Sequence, residues 1–162
     1  PVLAADTTVA LNGKIYGKPA DEKEAFEFLK DFSGQTHEVL TAVCLVDKEG
    51  KPRETLTKTF VTFRPLTDEE INSYIASGEA FDKAGGYGIQ GLAGQFVEKV
   101  EGSYSGVIGL PVDETKALLA EIGIRPHKVP TEDVTASLTL RMAEKRLNSY
   151  DLCREIQNFR TE

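Results

Sequence analysis

The chain has 162 residues, 40% of them hydrophobic and 28% charged, and a net charge of −7. That size and composition suit one domain whose core needs no metal or disulfide staple, and the negative charge speaks against a nucleic-acid backbone as partner. The apolar runs are too short for a membrane span or a signal peptide, so no membrane partner and a cytoplasmic location are expected.

Val2-Leu3-Ala4-Ala5 predicts a short buried strand, followed by Asp6-Thr7-Thr8 and then Val9 to Leu11. Asn12-Gly13 between apolar residues is a strong hairpin signal. It sends the chain back through Gly17-Lys18-Pro19, with Lys18 across the hairpin. Asp21-x-x-Glu24 reads as a capping-box variant that opens a helix to Phe32. Ala25, Leu29 and Phe32 share one face, widened by Phe26 and Phe28, and these rings read as core rather than as base-stacking platforms. Ser33-Gly34 ends the helix. His37 to Val46 and Arg53 to Phe63 predict two long strands, joined by the turn Asp47-Lys48-Glu49-Gly50 into an antiparallel ribbon. Thr67-x-x-Glu70 caps a second helix through Ala76. Gln95 to Val100 and Tyr104 to Leu110 predict a hairpin around Glu101-Gly102-Ser103. Val112 to Ile122 predicts a helix stopped by Gly123.

The chemistry concentrates in Asp82-Lys83-Ala84-Gly85-Gly86-Tyr87-Gly88-Ile89-Gln90-Gly91. Its glycines would let the backbone approach a ligand where a Cβ would clash. Lys83 can meet a phosphate as a point charge, Tyr87 offers a flat face, and Gln90 can donate to and accept from a base edge. Asp6 sits at the end of an apolar run, where a carboxylate requires a job or a partner. It reads either as a metal ligand or water-activating base, or as a turn aspartate capping the next amides. Local pattern leaves both open. Cys44 and Cys153 lack ligand spacing, and Cys44 reads as a buried thiol. His37 and His127 have no nucleophile at a catalytic spacing. His37 reads as a structural residue, and water is the expected nucleophile.

The chain resembles the Maf family of nucleotide pyrophosphatases. The likeness rests on Leu3-Ala4-Ala5-Asp6-Thr7, Gly17-Lys18-Pro19, Leu29 with Phe32-Ser33-Gly34-Gln35-Thr36-His37, the Asp82 to Gly91 loop, and Gly102-Ser103-Tyr104 with Gly109-Leu110-Pro111. These pieces occur in the family's order over Val2 to Ile124. The resemblance implies an α/β fold: a mixed twisted sheet with flanking helices and two lobes around a cleft, as in the related inosine-triphosphatase type. It implies hydrolysis of a nucleoside triphosphate to monophosphate and pyrophosphate with a divalent metal, Mg²⁺ or Mn²⁺. Asp6 matches the proton acceptor, Lys18 and Lys83 the phosphate lysines, and Thr7 and Gln90 positions of substrate choice. Asp82, Gly85, Gly86 and Tyr87 belong to the substrate-binding loop. Asp6 and, more weakly, Asp82 are the expected metal ligands, while Glu79 reads as a solvated carboxylate. Thr7 with Gly88-Ile89-Gln90 points to the dTTP/UTP subgroup. A homodimer is implied by the family alone.

The chain departs from the family in lacking a Ser-Pro-Arg-Arg loop. The expected core is 1–124, with an atypical helical tail at 125–162 on which Leu138, Met142 and Leu147, then Leu152, Ile156 and Phe159, share faces. This tail reads either as a permuted segment packing in place of the usual N-terminal one or as an extension. If it folds back, Arg125, Arg141, Lys145 or Arg146 could replace the missing arginines. Two other functions stay open beside dTTP/UTP hydrolysis. One is a catalytically weak nucleotide-binding or regulatory protein linked to septum formation; the other is a purine-directed pyrophosphatase of the inosine-triphosphate type.

Overall fold

A computed structural model describes residues 1–125. The tail's helical faces, its basic residues from Arg141 on, His127 and Cys153 lie outside the described residues. The elements run β1 (Val2–Leu11), β2 (Lys14–Tyr16), α1 (Glu22–Phe32), β3 (Thr36–Val46), β4 (Pro52–Phe63), α2 (Asp68–Ala76), β5 (Val97–Glu101), α3 (Tyr104–Ile108) and α4 (Val112–Glu121). The five strands form one sheet in the order β2-β1-β3-β4-β5, and every pairing is antiparallel. The α/β class with helices against a sheet is as the sequence predicts. The described sheet is antiparallel throughout rather than mixed.

Local chemistry explains most boundaries. Asn12 and Gly13 both take positive φ, the geometry that a two-residue hairpin turn demands. Asp21 caps α1 by accepting from the Glu24 amide at 2.8 Å. Thr67 and Glu70 cap α2 reciprocally, a complete capping box. At the β3–β4 turn, Asp47 accepts from the Glu49 and Lys51 amides and pairs with Arg53, whose guanidinium also reaches Glu121 of α4.

The helices cover one face of the sheet. Odd-numbered residues of β1, β3 and β4 point to that face. Val9, Val39, Val61 and Phe63 pack there with α1 and α2, while Val43 and Leu45 pack with Leu118 of α4. The even-numbered residues face the other way. Leu56 is 65% exposed, Phe60 is 37% exposed, and Cys44 is half-buried rather than the buried thiol expected, because it belongs to this open face.

Two expectations are corrected. Val2–Ala5 is not a separate buried strand. It continues without a break into Val9–Leu11, and its residues are exposed. β2 pairs only with Val9, Ala10 and Leu11, so among the described residues Val2–Thr8 has a strand neighbour on the β3 side alone. Tyr104–Leu110 is not a strand. Ser103 caps a short helix there by accepting from the Gly106 amide at 2.9 Å, and Gly109 closes it with φ +130. A side-chain cap is worth about 1 kcal/mol, enough to tip an ambiguous apolar stretch.

Candidate active site

The segment of Lys18 and the loop of Lys83 and Gln90 come together at the β1–β2 end of the sheet, on the face to which Val9 points, while Asp6 points to the opposite face. The antiparallel register sets Tyr16 opposite Val9, and β2 ends there, with Gly17 and Lys18 following directly. The Gly17 carbonyl then accepts from the Gly85 amide at 3.0 Å. This bond ties the Lys18 segment to the loop that bears Lys83 and Gln90. The loop docks on β1 as well: a Cβ on Gly85 would meet both Val9 methyls at 3.1 Å.

The two glycines expected to cradle a ligand have an inward role. Gly85 packs on Val9, and a Cβ on Gly86 would meet Pro19, the Ala80 carbonyl and Phe28. Both are buried, so they serve the seating of the loop on the core rather than close approach to a ligand. Replacing Gly85 by alanine is expected to destabilise the protein by roughly 2 kcal/mol, from its φ of +75 and from overpacking against Val9. Gly13→Ala shares the positive φ but meets open space, so its urea midpoint is expected to fall by less.

Tyr87 also turns inward, which corrects the flat-face reading. Its ring is 5% exposed and its hydroxyl shares a hydrogen bond of 2.5 Å with His37 Nε2. Phe32 and Phe63 pack around the pair. Burial pushes the Tyr87 hydroxyl pKa up and the His37 imidazole down to about 4, so both are neutral at pH 7. Tyr74 donates its hydroxyl to the Gly86 carbonyl at 3.0 Å. Two buried tyrosines therefore anchor the loop from beneath.

The polar residues of the loop stay at the surface. Lys83 lies along Gly88, where a Cβ would meet its Cε at 2.7 Å. The Lys83 ammonium is 3.0 Å from Asp82 Oδ1, in an exposed pair of the kind that contributes little to stability and can exchange for another anion. Asp82 thus faces a cation, a poor setting for a metal ligand. Gln90 is exposed in a turn closed by the Gly91 amide on the Gly88 carbonyl at 3.0 Å. Glu79 is not a free solvated carboxylate: it accepts from the Leu92 amide at 2.9 Å and closes the end of the loop.

Asp6 and Thr7 occupy opposite faces of β1. Asp6 pairs in register with exposed Ala42 on the open face. It is exposed in mid-strand, so the turn-cap reading is excluded. Thr7 pairs with buried Thr41 on the helix-covered face, and their hydroxyls are 3.0 Å apart. Sequence reasoning missed Thr41. The signal was a threonine at an inward position of β3, between Val39 and Val43, opposite Thr7.

Among the described residues, no three His, Cys, Asp or Glu side chains cluster to hold a metal ion by themselves. A lone exposed carboxylate fits Mg²⁺, which keeps several waters and is held through one or two carboxylates together with substrate phosphates. Among the described residues no helix is long and apolar enough to cross a membrane. A hollow beside α3, lined by Thr57, Lys58, Ser103 and Tyr104, contains none of the expected site residues.

A family model described as Maf-like protein matches residues 1–122. The chain belongs to this family. Among curated proteins, a dTTP/UTP pyrophosphatase of Chromobacterium violaceum is 57% identical over 123 residues, covering 76% of this chain and 62% of that protein. Another of that name, from Ralstonia nicotianae, is 54% identical over 124 residues, covering 76% and 60%. A third, from Escherichia coli O157:H7, is 52% identical over 133 residues, covering 82% and 67%. The matched part of this Maf chain therefore spans roughly three-fifths to two-thirds of these relatives' length.

Proposed function

We propose that this Maf chain acts on dTTP and UTP, releasing the nucleoside monophosphate and pyrophosphate. Its likeness to relatives bearing that activity in their names supports the substrate pair. The observation that carries the reading is the Gly85–Gly17 hydrogen bond, which ties the Lys18 segment to the Lys83–Gln90 loop beside the strand of Asp6 and Thr7.

In this reading a nucleotide lies against the β1–β2 end of the sheet. Lys18 and Lys83 meet the phosphates, with Lys83 exchanging Asp82 for a phosphoryl oxygen, and stabilise charge as pyrophosphate leaves. The protein's overall charge of −7 makes such local cations necessary. Asp6 takes the proton of the attacking water as the bond from the α-phosphorus to the bridging oxygen breaks. A divalent metal bound with the triphosphate would lower the pKa of that water and offset phosphate charge. Gln90 addresses the base edge, and Thr7 stands on the helix-covered side of the strand. A homodimer and a cytoplasmic setting belong to the same reading; sedimentation of the purified chain checks the first.

A pyrophosphate-release screen tests the proposal with dTTP, UTP, CTP, ITP and methyl-GTP, each with and without Mg²⁺ or Mn²⁺. Metal-dependent release from dTTP and UTP is expected. Preference for ITP would replace it by the purine-directed reading. Nucleotide binding without release under any condition would leave the regulatory one.

A further inference from the structure

Two threonine hydroxyls meet beside the candidate site. Each has one proton to give and two lone pairs with which to accept. Thr41 Oγ1 stands 2.7 Å from the Gly106 carbonyl oxygen. A carbonyl only accepts, so the Thr41 proton is committed there. Thr7 Oγ1 stands 3.0 Å from Thr41 Oγ1. Because Thr41 has no second proton, Thr7 must be the donor in that bond. The Thr7 hydroxyl therefore points its proton inward and has only lone pairs left to offer a ligand. Thr41 is 1% exposed, so water does not compete for its bonds, whereas Thr7 is half-buried. A Cβ on Gly109 would stand 3.8 Å from Thr7 Oγ1, so glycine at that position adds no side-chain atom beside the oxygen.

We propose that Thr41 is a positioning residue for base selection. It locks Thr7 as an acceptor, which receives the ring N–H of thymine or uracil and opposes the ring-nitrogen lone pair of cytosine. This rests on the dTTP/UTP reading above and supplies what Gln90 cannot. Uracil presents a carbonyl beside an N–H, and cytosine presents an amino group beside a lone pair. Turning a carboxamide over exchanges its donor and its acceptor, so one glutamine can satisfy either base. Gln90 is exposed, where water leaves either orientation of its carboxamide accessible. A hydroxyl whose proton is already committed cannot reverse in this way.

Thr41→Val keeps the side-chain volume and removes the lock. The Gly106 carbonyl retains the Gly109 amide as a donor at 3.1 Å, so the end of α3 keeps a partner. The Thr7 proton is then free to turn outward. Competition between UTP and CTP for the full chain, with Mg²⁺ present, reads the outcome. Wild type is expected to favour UTP. Thr41→Val is expected to lower the UTP-over-CTP ratio by about tenfold, chiefly through tighter CTP binding, which structural damage would not produce. Thr41→Ser, which keeps the hydroxyl, is expected to hold the wild-type ratio. An unchanged ratio in Thr41→Val overturns the lock and leaves the dTTP/UTP reading standing. No UTP preference in wild type overturns both. If Thr41→Val fails to fold, wild type with N3-methyl-UTP decides: binding as weak as CTP supports the acceptor, and binding as tight as UTP overturns it.

Discussion

Asp6→Asn is expected to lower pyrophosphate release from dTTP and UTP at least 100-fold while leaving the melting temperature within about a degree of wild type. The two halves of this expectation have separate causes. Asp6 is exposed, its strand neighbour on β3 is exposed Ala42, and its backbone is held by the β1–β3 ladder. Asparagine has nearly the same shape, and an exposed substitution of this kind shifts stability by no more than about 0.5 kcal/mol. Its amide, however, cannot accept a proton from water at neutral pH. A positioned general base contributes typically ~10²–10⁴-fold, and in the proposed mechanism the substitution removes that contribution together with a negative charge beside the triphosphate. Pyrophosphate release and thermal melting on the same preparation separate the effects. Unchanged turnover would remove Asp6 from the mechanism. Lost turnover with a large fall in melting temperature would instead make it a structural residue.

The parts of the fold written in local chemistry were legible in the sequence. The Asp21 and Thr67 caps, the Asn12-Gly13 turn and the alternation along Thr36–Val46 each involve residues a few positions apart. What failed depended on neighbours distant in sequence. An apolar run such as Val2-Leu3-Ala4-Ala5 states that burial is favourable, but not which element covers it. The break placed at Asp6 also hid a simple consequence of the continuous strand: successive residues face opposite ways, so Asp6 and Thr7 part company. Tyr104–Leu110 has apolar spacing ambiguous between strand and helix, and its helix is further held by the Thr41 and Thr59 hydroxyls on Gly106 and Ser103.

The candidate site divides in the same way. Lys18, Lys83 and Gln90 were identifiable as polar groups in glycine-punctuated segments, and the Gly85–Gly17 bond brings those segments together. Tyr87 carried the same local signal and went the other way. Its direction is set by His37, fifty positions earlier in the chain. Composition gave the loop its chemistry but could not say which side chains anchor it and which serve a ligand. Thr41 was equally hidden, since its meaning comes from the carbonyl it faces across the sheet.

Lowering the pH from about 6.5 to about 4 is expected to remove roughly 3 kcal/mol of stability through His37 alone. The ring is fully buried against Phe32, Phe63 and Tyr87, and burial pushes its pKa down from 6.5 to about 4. The folded protein therefore holds His37 neutral in a range where the unfolded chain binds a proton. Protons then favour unfolding: the stability is fully present above pH 6.5 and is lost progressively as the pH falls to the folded-state value. At about 1.36 kcal/mol per pH unit, that interval gives the stated size. Asp47 and Glu70, whose pKa values are lowered by Arg53 and Arg64, also destabilise the fold in acid, but only once the pH approaches the carboxylate range. Urea midpoints at pH 7.5, 6.5, 5.5 and 4.5 should show the His37 slope above that range. His37→Leu is expected to be less stable at pH 7.5, because the Tyr87 hydroxyl loses its partner, yet flatter between pH 6.5 and 5. An equal slope in variant and wild type would assign the acid sensitivity to other groups. Because His37 holds Tyr87, and Tyr87 lies between the Lys83 and Gln90 segments, acid should loosen the candidate site along with the core. Nucleotide affinity is accordingly expected to fall over the same pH interval in wild type.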